Sequence, residues 1–100
     1  MKLTVHILIP PTMNIIARNK VRDITAFLKG HQERVDLFGT AVTNWYTFQD
    51  AEDPQSVVLL LDVPDLDKFG AVLHDPRNVA LSTKHTVIQP VIVSRPVAAA

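Results

Sequence analysis

The chain has no cysteine, which excludes disulfides, thiolate metal ligands and thiol nucleophiles. That absence suits a reducing compartment, and a cytoplasmic location is expected. Neither sign of charge dominates, because ten Lys and Arg stand against ten Asp and Glu. A neutral chain carries no broad electrostatic footprint for nucleic acid or anionic lipid, so neither partner is expected. Long apolar runs are missing as well. The longest, Val57 to Leu61, falls far short of the roughly 20 residues a membrane span needs. The apolar start at Leu3 is interrupted by Thr4, His6 and Pro10-Pro11, and no small-x-small pattern follows closely, which argues against a secretory leader. Glycine is scarce: Gly30, Gly39 and Gly70 are the three present, and they build no phosphate-cradling loop. No serine sits in a G-x-S-x-G elbow. The four histidines show neither metal-ligand spacing nor H-E-x-x-H, so no metal site is expected.

What is present is a strongly patterned chain of 100 residues, of which 47% are hydrophobic. That length makes one domain, expected over residues 1–95, with a frayed tail at 96–100. Leu3, Val5, Ile7 and Ile9 alternate with Thr4, His6 and Leu8, which predicts a strand ended by Pro10-Pro11. Ala17, Val21, Ile24, Leu28, His31 and Val35 then recur at helical spacing. Asn14 or Asn19 is placed to cap that helix, Gly39 to stop it, and Gly30 to bend or break it.

Thr43 to Gln49 is aromatic and β-branched and predicts a second strand. The polar turn from Asp50 to Gln55 leads to a third, Val57 to Val63, whose unbroken apolar run predicts burial on both faces. Asp65 is placed to cap a helix carrying Leu66, Phe69, Val72 and Leu73. Asp75-Pro76 offers a fresh cap for a further short helix. Val87 to Val93 predicts a fourth strand, which Pro90 assigns to a sheet edge or a bulge.

The order β-α-β-β-α-β predicts an α+β, ferredoxin-like fold: a four-stranded antiparallel sheet with both helices on one face. Strands one and three then lie in the middle. A third strand apolar on both faces needs cover on the second one, and a second copy packed sheet to sheet supplies it. A homodimer is therefore expected.

Asp53-Pro54 before the third strand, then Asp62-Val63-Pro64-Asp65-Leu66-Asp67-Lys68-Phe69 and Leu73-His74-Asp75-Pro76, with His31 in the first helix, carry a family likeness. The chain resembles the dimeric α+β barrel proteins, most closely from Asp50 to Val93. That group includes cofactor-independent monooxygenases, haem-degrading enzymes, polyketide cyclases and lactone isomerases. The resemblance implies a two-fold barrel around a small-molecule site. Plant polyketide cyclases of this fold carry a His-Pro-x-His-Val box; the matching stretch here reads Asp75-Pro76-Arg77-Asn78-Val79. Asn78 stands at the second histidine's place, where an amide binds a ligand but does not transfer protons near neutral pH. The haem-degrading branch resembles this chain in a late histidine, at His85, but its third-strand tryptophan has no counterpart. Trp45 is on the second strand. Haem is compatible with the resemblance but not favoured, and no cofactor is expected.

Two histidines are the candidates for proton transfer. His6, on the predicted first strand, faces the barrel interior as a general base, or is tied to Thr4 or Tyr46. His31 lies on the apolar stripe of the first helix, as a site residue at the barrel mouth or as a packed helix histidine. Asn44, Trp45, Tyr46 and Phe48 supply a polar-aromatic strand that lines a ligand pocket, or are ordinary core aromatics. Arg18, in the segment from Pro10 to Asn19, is placed to meet an anionic ligand at the pocket rim. His74 and His85 are expected to be exposed or capping, and Asp50, Glu52 and Asp53 to form a solvated turn. Two function classes stand. One is an enzyme acting on a small, largely apolar compound by cofactor-independent oxygenation, cyclisation or isomerisation. The other is a non-catalytic module that binds a ligand or dimerises.

Overall fold

The computed structural model describes residues 12–97. It opens on strand β1, Met13–Val21. Within it Ile15, Ala17, Asn19 and Val21 are buried while their neighbours are half-buried or exposed. The expected strand from Leu3 to Ile9 lies outside the described residues, and Met13–Val21 holds the central position assigned to it. This corrects the expected helix start. Ala17 and Val21 are four apart, and an even spacing also puts two residues on one face of a strand. Asn14 and Asn19 are strand residues and cap nothing. Helix α1, Ile24–Lys29, starts at Asp23, whose carboxylate accepts from the Ala26 N–H at 3.2 Å.

Gly30 breaks the helix, and α2 runs over His31–Phe38. The break turns a different stripe inward. Phe27, Arg34 and Phe38 are buried, while Leu28, expected to face inward, is exposed. Gly39 ends α2 at φ 52°, a conformation glycine adopts without strain.

Strand β2, Asn44–Gln49, passes through the Asp50–Gln55 turn into β3, Ser56–Val63. Helices α3, Leu66–Leu73, and α4, Pro76–Lys84, precede β4, Val87–Ser94. Both expected caps form. Asp65 accepts from the N–H groups of Asp67 and Lys68, and Asp75 from that of Arg77, with Pro76 at the first helical position. Replacing Asp65 with alanine strands two backbone donors. Asp65→Ala is expected to cost about 1 kcal/mol in urea unfolding. An unchanged midpoint would show that α3 is held by packing alone.

The sheet order is β2-β3-β1-β4, antiparallel throughout, with β2 and β4 at the edges as expected. The Gln89–Pro90 bond on edge strand β4 is cis. The β1–β4 register shifts between Arg18 and Lys20, opposite the stretch that holds Pro90. The helices cover one sheet face, where Ile15, Ala17, Val57, Leu59, Leu61 and Val63 pack with Phe27, Phe38 and Phe69. On β3 the expectation of two buried faces is met on one side alone. Val57, Leu59, Leu61 and Val63 are buried; Val58, Leu60 and Asp62 are half-buried in the single chain.

Candidate functional site

Between the sheet and the helices lies a cavity of about 60 Å³. Its wall is mostly apolar and aromatic, including Phe27, Phe38, Trp45 and Phe69, with Asn19, Arg34, Asn78, Ser82 and His85 as the polar residues. The aromatic rings interlock. Trp45 meets Phe38 edge-on at 5.4 Å between centroids, and Phe38 meets Phe69 at 5.7 Å. A wider cleft of about 340 Å³ lies between α4 and β4. Asn78, Ser82, Val87 and Val91 line both spaces, so the cleft forms an approach to the cavity. Neither α4 nor β4 contains a buried residue, so this seam is packed less tightly than the core around β1 and β3.

The polar end of the cavity is built by a chain of contacts. Lys84 and His85 both bind Glu33, at 2.9 and 3.0 Å. The other nitrogen of His85 faces Arg34 Nη1 at 3.0 Å. A guanidinium only donates, so His85 Nδ1 accepts and the ring proton sits on Nε2, donated to Glu33. The His85 and Lys84 hydrogen bonds hold the Glu33 carboxyl below the usual carboxylate range. Arg34 is 7% exposed, and its guanidinium stacks on Phe27 with its carbon 3.8 Å from the ring centroid. Burial pushes Arg34 down to about 10, so it remains a cation at neutral pH.

Local structure fixes His85 from three sides. It ends α4, with its N–H on the Leu81 carbonyl at 2.8 Å. Thr86 follows at φ 63°, an unfavourable conformation for a β-branched residue. It is held there because the Arg22 N–H bonds the Thr86 carbonyl, while the Thr86 hydroxyl accepts from the Asp23 N–H and donates to the Asp23 carbonyl. The ring then lies against Gly30, where an added Cβ would overlap its Nε2, Cδ2 and Cε1 atoms.

The expected site residues are dispersed by this arrangement. Trp45 and Asn78 line the cavity. The Asn78 amide nitrogen donates to the Leu73 carbonyl at 3.0 Å. His31 is half-buried and meets Trp45 edge-on at 5.9 Å, outside the cavity wall. Asn44 is exposed and donates to Asp62. Tyr46 and Phe48 lie on the sheet's open face, 47% and 54% exposed. Arg18 also corrects an expectation. It is an exposed residue of the central strand, not part of a lid, because the segment from Pro10 to Asn19 is largely β1. His6 lies outside the described residues. His85 was expected to be exposed or capping; it caps α4 and is 2% exposed. Arg34 was passed over by sequence reasoning, while His85 was weighed but not placed in a site. The available signal was the Phe27, Arg34, Phe38 spacing of seven and four, a second inward stripe with a cation at its centre.

The haem comparison does not fit this geometry. Both ring nitrogens of His85 are engaged, and Trp45 lies on β2. Among the described residues no group of three or more histidines and carboxylates converges as a metal site. No helix among them is long and apolar enough to cross a membrane.

Neither a family model nor a curated protein matches the chain. Solved structures do. An assigned antibiotic biosynthesis monooxygenase from Bordetella bronchiseptica superimposes with a TM-score of 0.71 at 17% identity, covering 89% of this chain and 98% of its own. SnoaB, a cofactor-independent oxygenase from Streptomyces nogalater, gives 0.68 at 14% identity over 89% and 94%. An assigned antibiotic biosynthesis monooxygenase from Nitrosomonas europaea gives 0.66 at 13% identity over 88% and 90%. The chain therefore shares the ferredoxin-like fold of these structures.

Proposed function

We propose that this chain binds a small, largely apolar aromatic compound in the α4–β4 cleft and the cavity it opens into between helices and sheet, and oxygenates it without a cofactor. The carrying observation is the cavity itself: an aromatic wall with a few convergent polar groups, reached from the α4–β4 cleft. The fold it shares with SnoaB, a cofactor-independent oxygenase, supports the reaction class.

The chemistry requires an electron-rich substrate, such as a methylene flanked by phenolic rings. Loss of a proton gives a carbanion that reduces dioxygen. One oxygen atom remains as the carbonyl and the other leaves as water, so the substrate carbon supplies all four electrons. The protein's part is to remove the proton and to exclude bulk water. His6 is the proposed proton acceptor, with His31, which packs on Trp45 outside the cavity wall, as the second candidate. The test is oxygen uptake with anthrone-type and dihydroxynaphthalene substrates. Turnover is expected for the wild-type chain, with a loss of about 100-fold or more when the operative histidine becomes alanine. Retention of full turnover in both His6→Ala and His31→Ala would refute the assignment.

A second reading, a non-catalytic binding module, is favoured by one observation. The histidine that lines the cavity, His85, has both nitrogens occupied and is not free to act as a base. Ligand binding without oxygen uptake by any of these substrates would decide for it.

A homodimer is part of the proposal. The sheet's open face carries Tyr46, Phe48, Ile88 and Ile92 exposed, around half-buried Ile16, Val58 and Leu60. An apolar face of that kind is ordinarily covered, and a second copy is self-complementary to it.

A further inference from the structure

We propose that the ligand of the cavity carries a carboxylate, and that Arg34 receives it on two parallel N–H groups. This rests on the reading of the cavity as a small-molecule site, and it is independent of whether the ligand is oxygenated.

The first observation is which buried groups lack partners. Among the described residues, three buried side-chain polar atoms have no hydrogen-bond partner: Arg34 Nε, Arg34 Nη2 and Trp45 Nε1. All three are donors, and both residues line the cavity. An unmet buried donor is costly, so such groups point to an acceptor that is bound there. Three unmet donors on two residues lining one cavity call for an acceptor-rich group.

The second observation is the geometry of the cation. Arg34 is more than nine-tenths buried, and among the described residues no carboxylate pairs with it. Its nearest acidic neighbour in sequence, Glu33, is turned to Lys84 and His85 instead. His85 occupies Nη1. That leaves the edge formed by Nε–H and Nη2–H, whose two donors point the same way and match the two oxygens of a carboxylate. Phe27 beneath the guanidinium and His85 at its other edge fix its plane, so the fork is set before a ligand arrives.

Size sets the rest of the ligand. A cavity of about 60 Å³ takes a carboxylate head but not a ring as well. The body must extend past Asn78 and Ser82 into the α4–β4 cleft of about 340 Å³, whose wall includes Val79, Val87 and Val91. An aromatic carboxylic acid, entering head first, satisfies both spaces.

The probes are benzoate and its neutral isostere benzamide. Binding is measured by calorimetry and by the N–H resonances of the single tryptophan and of Arg34 Nε. Benzoate is expected to bind at least about tenfold more tightly than benzamide and to move both resonances. Arg34→Met is expected to abolish that preference, weakening benzoate far more than benzamide. Arg34→Lys retains a charge but not the fork. It is expected to keep only a small part of the preference, and it serves if the methionine variant does not fold. Equal binding of the two probes overturns the proposal, as does a preference that survives Arg34→Met or is undiminished in Arg34→Lys, or no binding of benzoate at about 10 mM. Failure of the oxygen-uptake assay alongside a clear benzoate preference would remove the oxygenase reading and leave this one standing.

Discussion

Gly30→Ala is expected to destabilise the fold by about 1–3 kcal/mol, although every local consideration favours alanine. Gly30 sits at φ −82° and ψ 1°, a conformation alanine adopts without strain. Helix propensity alone would make the substitution stabilising by roughly 1 kcal/mol. The opposing effect is steric. The new methyl group would overlap the ring of His85, which is buried and tethered at both nitrogens. The ring cannot swing aside without giving up Arg34, and Arg34 would then be a buried cation with a further unmet donor. Gly70→Ala is the matched control. Gly70 lies inside α3 with open space where its Cβ would be, so that substitution is expected to stabilise by up to about 1 kcal/mol. Urea unfolding of the two variants reads both signs. A Gly30→Ala chain as stable as wild type would show that His85 is not fixed as described, and the set geometry of Arg34 would go with it.

Charge placed on the open sheet face is expected to separate the two copies of the proposed homodimer. Phe48 and Ile92 lie on opposite edge strands of that face, 54% and 56% exposed in the single chain. They contribute little to the core of one chain, so Phe48→Asp with Ile92→Asp should leave folding nearly intact. In a sheet-to-sheet dimer both carboxylates would be desolvated without partners. Association is expected to weaken by at least about 100-fold, roughly 2.7 kcal/mol. Sedimentation equilibrium of wild type and variant decides it. A wild-type chain that is monomeric at micromolar concentration, or a variant that still dimerises, would remove the dimer from the proposal.

How much of this was legible beforehand depended on the range of the interaction. Strands β2, β3 and β4 could be read from composition and from the Pro and Gly that bound them. The Asp65 and Asp75 caps and the breaks at Gly30 and Gly39 were equally plain, because caps and turns are made within a few residues of the chain. Edge placement of β4 followed from Pro90, which cannot donate to a ladder. The central strand β1 was read as the start of a helix for a stateable reason. The spacing of Ala17 and Val21 satisfies a helix and a strand alike, and only pairing with distant strands could separate the two. In the register observed, Ala17 sits between Leu59 on β3 and Val93 on β4.

The candidate site was less legible. Trp45 and Asn78 could be singled out by residue type and by the family resemblance, and both reach the cavity. Arg34 and His85 could not be paired from the sequence, because they are 51 residues apart. Their meeting depends on the turn at Thr86, on its bonds to Asp23 and on the missing side chain of Gly30. Sequence by itself determined the order of elements and where most of them start and stop, since those are local matters of φ, hydrogen-bond donors and periodicity. Tertiary structure alone decided which stripe of the first helix turns inward and which cation is left with unmet donors. Those are outcomes of packing between elements, where one missing Cβ and one strained turn select the contact that forms.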